Sequence, residues 1–490
     1  MLARRLRLGY HEPLLALLAT GATGLLAYAG VQKAGPAGVG LPLVLVVVAI
    51  LMRKPLAMVA LTAGLAVLCE GPSFGLFSGF TSELYHAVYK ELTILDMLVC
   101  LSLVSVGLDI MRRGARPHVP RVLVYPSLLL VLGMLAGALT GHAGGASVRS
   151  VILANSTLVY LLLLPLAIAN LQIGTRRLAL LVAGGVALAI VKAFLGLVEI
   201  AGHFGVATVE GTTTTLTYYE PTANWLIMVA IFGLLAMLLI RVRPPRWALA
   251  GSPLLLASLV LSYRRSFWIA GVLGLVLIVM LASSPSSRRM LIPMGLLLAA
   301  AIWGLGTTNF QTSNSPIVRR AASTLPSKIE SSREDRYRLD ERANVLGAIG
   351  EHPLTGLGLA VPWSADFAPL SVEHPGGREY VHFAALWYWL KLGILGLAAY
   401  LGILLANGLL AWRVWRSALE PWTRAYGLAT LCALLGLAVI ETTASFTGVD
   451  IRFTVLLSVQ LGVLMQLARG SAASQTPPPD VARVALNPAG

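Results

Sequence analysis

Long runs of apolar residues alternate with short polar connections along most of this chain. A membrane span needs roughly 20 apolar residues, and because some of the runs are short we expect 12 to 14 transmembrane helices. The predicted spans are residues 13–31, 39–52, 55–70, 93–111, 121–141, 149–171, 178–200, 222–241, 247–262, 266–283, 289–306, 382–404, 424–446 and 453–468. The pattern predicts an all-α polytopic membrane protein.

The apolar pattern has one long interruption, at residues 307–381. This segment holds nine of the 22 acidic residues and eight arginines and lysines. Residues 331–350 have helical periodicity and few β-branched residues. Pro353, Gly356 and Gly358 follow, and they should end that helix, since proline cannot continue it and glycine permits a tight turn. We expect a large loop with one or two helices lying over the membrane domain.

Composition and charge support the membrane interpretation and fix a topology. Hydrophobic residues make up 57% of the chain and charged residues 12%, against about 25% charged in soluble domains. The net charge of +15 comes largely from short basic loops on alternate connections, the positive-inside pattern. It places the N-terminus in the cytoplasm and the large loop outside. The charge therefore indicates topology and does not indicate nucleic-acid binding.

The chain is expected to divide into four regions. Residues 1–306 form the N-terminal spans, and the first span is expected to stay uncleaved because its apolar run is longer than a signal peptide's. Residues 307–381 form the outer loop and residues 382–470 the C-terminal spans. Residues 471–490 are rich in Pro, Ala and Ser, which predicts a disordered cytoplasmic tail.

Two arginines in the loop helix could hold an anion. Arg338 and Arg342 are four residues apart and share one helix face. Two guanidinium forks side by side suit a diphosphate, because each offers several donors and keeps its charge. The alternative is a set of ion pairs between Arg338 and Glu334 or Glu341 that stabilises an exposed helix.

Further cations lie at unusual membrane positions. Arg264 and Arg265 separate two apolar runs on the outer side. Arg149 lies at the outer end of the span that begins there. Lys192 lies inside a span, where a charge costs roughly 2.5–3.5 kcal/mol. These residues could bind an anionic substrate. Alternatively, the arginines could contact lipid headgroups, and Lys192 could pair with Glu199.

His382, at the mouth of the span after the loop, is the candidate general base, since imidazole titrates near neutral pH. Its alternative role is that of an ordinary interfacial residue. Asp450 could contribute to the site or pair with Arg452, and Tyr218 could stack on a sugar or anchor the interface. The three cysteines lie at apolar positions, and their number and spacing predict no disulfide. No spacing of cysteines, histidines or aspartates predicts a metal site.

Four local patterns resemble the O-antigen ligase and polymerase superfamily of bacterial envelope enzymes. Residues 263–268 are similar to the arginine signature that opens a span, and Arg265 is the matching arginine. Arg338 lies fifteen residues before a P-x-x-G-x-G segment at 353–358. His382 leads into a G-x-x-G segment at 393–396, and a large loop precedes this histidine. Two positions depart from the family pattern: Arg264 replaces a serine, and Phe383 replaces a frequent asparagine.

The resemblance implies a GT-C-like glycosyltransferase of the inner membrane whose active site faces the periplasm. The reaction would be inverting and need no metal or other cofactor. The donor would be a glycan on undecaprenyl pyrophosphate and the acceptor a sugar hydroxyl of lipid A–core. His382 would act as the base, and Arg265, Arg338 and Arg342 would bind the diphosphate. Arg264, Lys192 and Arg149 would be additional contacts.

Other functions fit the same residues. An O-antigen polymerase or a protein O-oligosaccharyltransferase would use the same donor, and the long loop before the histidine favours the ligase. A flippase or transporter for lipid-linked sugars would explain the outer cations and Lys192. It would not need a base at His382 or a large helical loop, and it would break no glycosidic bond.

Overall fold

The structure is a computed structural model that describes residues 47–69, 87–89, 92–202, 206–209, 212–215, 221–282, 320, 333–370 and 378–473. Helices dominate these residues. They are α1 (Pro55–Leu68), α2 (Ile94–Arg113), α3 (Arg121–Ala143), α4 (Val148–Ala169), α5 (Thr175–Ala201), α6 (Pro221–Leu239), α7 (Arg246–Leu261), α8 (Arg265–Ala282), α9 (Arg333–Glu351), α10 (Ala384–Ser417), α11 (Pro421–Ile440) and α12 (Ile451–Ala473).

Most of these helices are long and apolar enough to cross a membrane. Nine of those in the described residues qualify, and α1 and α7 are shorter apolar helices. Their bounds agree with the predicted spans to within a few residues in most cases, and the chain is an all-α polytopic membrane protein. The predicted spans at 13–31 and 289–306, residues 474–490 of the predicted tail and most of the loop before α9 lie outside the described residues, so the four-region division stays a prediction. Residues 471–473, the predicted start of the tail, are the last residues of α12.

Two short hairpins contain the only strands in the described residues, and the sequence pattern did not predict them. Strand β1 (Ala87–Tyr89) pairs antiparallel with β2 (Leu92–Thr93), and β3 (Val206–Val209) pairs antiparallel with β4 (Thr212–Thr215). Both lie in predicted outer connections. Runs of valine and threonine in these segments favour strand, because β-branched side chains suit extended backbone.

Helix pairs that are distant in sequence form the bundle. Helix α10 packs on α3, α12 packs on α4, and α8 packs on α11; α10 also packs on its neighbour α11. The main apolar core includes Trp225, Phe232, Phe267 and Phe453, all fully buried. A second core lies beneath α9, where Val345 and Ile349 contact residues of α10 and the segment after α9. The polar helix α9 is thus anchored on the bundle by its apolar face.

A break in α10 receives the P-x-x-G-x-G segment. Gly393 has φ 68° and ψ −165°, which interrupts the helix. Around that break the Leu357 amide donates to the Leu390 carbonyl at 2.7 Å, and the Ile394 amide donates to the Leu354 carbonyl at 3.1 Å. The predicted tight turn after α9 is therefore present, and it fixes the segment between α9 and His382 to the bundle.

Gly358 allows the same segment to reach α3. Its φ is +93°, and a Cβ there would lie 2.2 Å from the Gly141 amide nitrogen. The adjacent Leu359 amide donates to the Gly137 carbonyl at 2.8 Å. Because L side chains rarely adopt this backbone conformation, glycine is needed here both for the turn and for the close approach of two backbones.

Candidate functional site

The first part of the site is a cluster of two arginines around Asp335. Arg265 is the first residue of α8, and its Nη2 donates to both Asp335 carboxylate oxygens at 2.7 Å. Nη1 of Arg338 donates to Oδ1 at 3.3 Å. The Arg265 and Asp335 side chains are only 12% and 9% exposed. A carboxylate on α9 therefore draws two guanidiniums from different elements to one point.

The local backbone explains how Arg265 reaches this cluster. Tyr263, between α7 and α8, has φ 54°, a left-handed conformation that is uncommon for a residue other than glycine. The turn reverses the chain and places Arg264 and Arg265 together at the end of the bundle that also carries His382. The Tyr263 carbonyl accepts a hydrogen bond from Arg320 Nε at 3.1 Å, which brings a further arginine to this turn.

The second part of the site is the pair of His382 and Glu341. Nδ1 of His382 lies 3.0 Å from each Glu341 carboxylate oxygen, and the His382 amide donates to Oε2 at 2.9 Å. Glu341 is 1% exposed and His382 is 8% exposed. A carboxylate can only accept, so we assign the ring proton to Nδ1, which makes Nε2 the nitrogen that can accept a proton.

Two tyrosines enclose the imidazole. The rings of Tyr380 and Tyr337 meet it edge-on, with centroid separations of 4.9 and 5.8 Å. The Tyr380 hydroxyl donates to the Ser445 carbonyl at 3.3 Å and accepts from the Ser445 amide at 3.0 Å. Burial, and the nearby Glu341 charge, raise the Tyr380 pKa. Its hydroxyl therefore stays protonated at neutral pH.

The start of α10 is held by the connection between α11 and α12. The Ala384 amide donates to the Glu441 carbonyl at 3.0 Å. The buried Glu441 carboxylate accepts from the Tyr400 hydroxyl at 2.7 Å and from the Thr447 amide at 2.7 Å. These bonds fix the backbone two residues after His382, so the histidine has little freedom to move relative to α9.

Arg342 lies at the exposed edge of this arrangement. Its guanidinium carbon is 5.3 Å from the centre of the Phe383 ring, and its side chain is exposed, unlike the half-buried Arg338. The two arginines do share a face of α9, as predicted. Arg338 contacts Asp335, however, whereas Arg342 stacks on the residue next to His382.

Comparison with known families adds to this geometry. Residues 250–401 match the family model of O-antigen ligase (Wzy_C). The matched segment covers about a third of the chain's 490 residues. The match is consistent with a member of the O-antigen ligase and polymerase superfamily, whose members are glycosyltransferase-like enzymes, and it implies a context of lipid-linked glycan and membrane lipid. A comparison with curated proteins found no match.

The matched segment, residues 250–401, contains both parts of the site. It begins in α7 and ends in α10, so Arg265, Asp335, Arg338, Glu341 and His382 all lie within it. The two departures from the family pattern also have structural roles: Arg264 adds positive charge near Tyr380, and Phe383 supports Arg342. The match begins at residue 250, and nothing is implied by it for the residues before that.

Several predicted site residues are not part of these two clusters, although the Asp450 charge acts on the nearby Tyr380. Lys192 is buried in α5, where its Nζ donates to the Leu68 carbonyl at 3.4 Å. It is nine residues before the end of its helix, about 14 Å along the axis. Arg149 is exposed in the first turn of α4. Asp450 binds Arg452 through a pair at 2.5 Å and also accepts that residue's amide at 2.8 Å, the alternative given above. Tyr218 lies outside the described residues.

Sequence reasoning missed the two acidic partners and misassigned one ion pair. The expected pair of Arg338 with Glu341 was wrong, since Arg338 contacts Asp335 and Glu341 contacts His382. A signal for Glu341 was present, because it shares the apolar stripe of α9 with Tyr337, Val345 and Ala348 at helical spacing. A lone carboxylate in such a stripe becomes buried, and a buried charge requires a partner.

Metal ligands do not converge in the part of the chain that the structure describes. No group of three or more His, Cys, Asp or Glu side chains there is arranged to hold a metal ion. The two acidic residues of the site are instead engaged by arginine and histidine side chains. The charge that this site offers to an anion comes from guanidinium groups.

Proposed function

We propose that the chain transfers a glycan from undecaprenyl pyrophosphate to a sugar hydroxyl of lipid A–core in lipopolysaccharide synthesis. The observation that carries the proposal is the His382–Glu341 pair beside the Arg265–Asp335–Arg338 cluster, both inside the segment that matches the O-antigen ligase family model. Asp335 and Glu341 lie on one helix, six residues and about 9 Å apart along its axis. A base and an anion-binding cluster at that spacing can serve the two ends of one glycosyl transfer.

The base half of the reaction belongs to His382. Nε2 takes the proton of the acceptor hydroxyl while the acceptor oxygen forms a bond to the anomeric carbon of the donor sugar. The bond from that carbon to the pyrophosphate oxygen breaks on the opposite face, so the configuration inverts. Glu341 keeps the ring in the correct orientation and stabilises the imidazolium that forms, as a carboxylate does for a paired histidine base.

The leaving-group half belongs to the arginines. Pyrophosphate departs with more negative charge than it carries as an ester, and fixed guanidiniums can stabilise that charge without a metal ion. Asp335 holds Arg265 and Arg338 close to each other and limits their motion before the donor arrives. A diphosphate carries more negative charge than the Asp335 carboxylate and is long enough to contact both Arg265 and Arg338. Arg342 and Arg264 extend the positive surface.

The charge distribution supports an inner-membrane enzyme whose site faces the periplasm. The basic loops and the helix ends beside them lie at the opposite end of the bundle from His382. They include Arg243 in a connection and Arg113, Arg176 and Arg413 near the ends of their helices. In the positive-inside pattern such loops are cytoplasmic. The site would then face the compartment in which lipid-linked glycans meet lipid A–core.

A transfer assay with two acceptor conditions tests this function. The purified, EDTA-treated protein is given undecaprenyl-pyrophosphate glycan with lipid A–core, or the donor alone, and products are separated on a gel. We expect glycan on lipid A–core. Longer glycans on undecaprenyl pyrophosphate would instead establish the polymerase, and glycan on an added peptide acceptor the protein O-oligosaccharyltransferase. Donor that crosses vesicle membranes with no new bond would establish the transporter.

A further inference from the structure

A second polar depression lies at the opposite end of the bundle from His382. Its volume is about 100 Å³, and its polar lining consists of three arginines and two amides: Arg113, Arg116, Arg469, Asn170 and Gln172. These residues come from the end of α2 and the turn after it, the end of α4, and the last turns of α12. The ends of α2 and α12 therefore direct positive charge to one small space, and the end of α4 supplies its neutral amides.

Asn170 fixes the wall of this depression. It is 9% exposed and caps the C-terminal end of α4. Its Oδ1 accepts the His118 amide at 2.7 Å, and its Nδ2 donates to the His118 carbonyl at 2.9 Å. Both ends of the amide are thereby used to hold the chain after α2. Gly114, with φ 59°, makes the turn that leads into this held segment, which carries Arg116.

The arginines differ in how they are engaged. Arg113 is held by Asp109 at 2.7 Å and donates to the Asn170 carbonyl at 3.1 Å. Arg116 and Arg469 are exposed and make no hydrogen bond or ion pair with any residue that the structure describes. Among the described residues, one carboxylate thus balances three guanidiniums, and both Arg116 and Arg469 line the depression.

We propose that this depression, the Arg116–Arg469 pocket, binds a phosphate group, and that the group belongs to an anionic phospholipid. The size suits a phosphate, since drug-sized ligands require roughly 300 Å³ or more. Guanidinium groups bind phosphate oxygens well, and the Gln172 amide adds a further donor to the lining. The pocket lies where the apolar lengths of α2, α4 and α12 end, which is the level of lipid headgroups, and clusters of arginine at that level bind anionic lipids. The site is separate from the proposed glycosyl-transfer chemistry.

Native mass spectrometry of the full chain with phosphatidylglycerol tests the pocket. The variant R116A/R469A removes the two exposed arginines of the pocket, and R243A/R413A removes two exposed arginines at the same end of the bundle but outside the pocket. All four residues are exposed, so neither variant should disturb folding, which circular dichroism would verify. We expect phosphatidylglycerol affinity to fall roughly thirtyfold in the first variant, the effect of two arginines at a headgroup site, and less than threefold in the second.

The source of the phosphate is separated by competition. If millimolar inorganic phosphate leaves the bound phosphatidylglycerol in place, the lipid headgroup is the ligand. If inorganic phosphate displaces the lipid from the wild-type protein but the variant shows no competition, the pocket binds free phosphate. An equal loss of phosphatidylglycerol affinity in both variants would mean that the lipid is attracted to the basic surface in general. Unchanged affinity in both would mean that the pocket is not a lipid site. Each of these results overturns the proposal.

Discussion

Glu341→Gln is the most informative single substitution in the site. The carboxylate is 1% exposed and lies 3.0 Å from His382 Nδ1 through each of its oxygens. Glutamine keeps the shape of the side chain but removes the negative charge. Its amide can also donate to Nδ1, which would move the ring proton to Nε2 and abolish the base.

The size of the effect follows from the geometry. Two unit charges about 4 Å apart at an effective dielectric constant near 20 interact by about 4 kcal/mol, and this is the stabilisation that the imidazolium would lose in the transition state. Since each 1.36 kcal/mol is a factor of ten in rate, kcat should fall about a thousandfold. The arginines are untouched, so the KM for the lipid-linked donor should change little.

The assay is steady-state transfer from the donor to lipid A–core with donor concentration varied. Glu351→Gln is the matched control, because it neutralises an exposed carboxylate at the end of the same helix. We expect the control to keep wild-type kcat. A Glu341→Gln enzyme with kcat within tenfold of wild type would refute the paired-base reasoning, and an equal loss in Glu351→Gln would attribute the effect to the charge of α9.

Three further predictions concern the arginines and the interlocked turn. Arg265→Lys should raise the donor KM by roughly ten- to a hundredfold, since lysine cannot reproduce a charge-assisted fork; an unchanged KM would contradict a role in diphosphate binding. Arg342→Ala should weaken donor binding by only about 0.5–1 kcal/mol, the size of an exposed cation–π contact. A rise in donor KM as large as that of Arg265→Lys would mean that the donor binds at the exposed edge, beside Arg342. Gly358→Ala should destabilise the protein by about 1–3 kcal/mol from backbone strain alone. Gly350→Ala, whose added Cβ would meet nothing within 4 Å, is its control, and equal melting temperatures for the two variants in detergent would disprove the close approach.

The membrane spans could be predicted from the sequence because lipid imposes a simple requirement. Backbone groups in the hydrocarbon region must be satisfied within the helix, so apolar length alone indicates a span. The boundary at Arg264 and Arg265 shows this well: the spans predicted at 247–262 and 266–283 are the helices Arg246–Leu261 and Arg265–Ala282. The loop helix predicted at 331–350 is likewise Arg333–Glu351.

The partners within the site could not be predicted, because they depend on how α9 lies on the bundle. Asp335 meets an arginine 70 residues away and Glu341 a histidine 41 residues away, whereas helical spacing alone favoured local pairs. The break at Gly393 was missed for a related reason. A glycine in an apolar run is compatible with a continuous helix. Gly393 needs its positive φ only because the segment at 354–357 hydrogen-bonds to α10 on either side of it.

The most direct test of the proposed mechanism is transfer from pre-bound donor by the wild-type protein and by His382→Ala, both treated with EDTA. Donor binding is measured first, and lipid A–core is then added and the rate of glycan transfer followed in a single turnover. We predict that both proteins bind the donor equally, that the wild type transfers glycan without metal, and that the variant does not. Transfer by His382→Ala at a rate near that of the wild type would contradict the account.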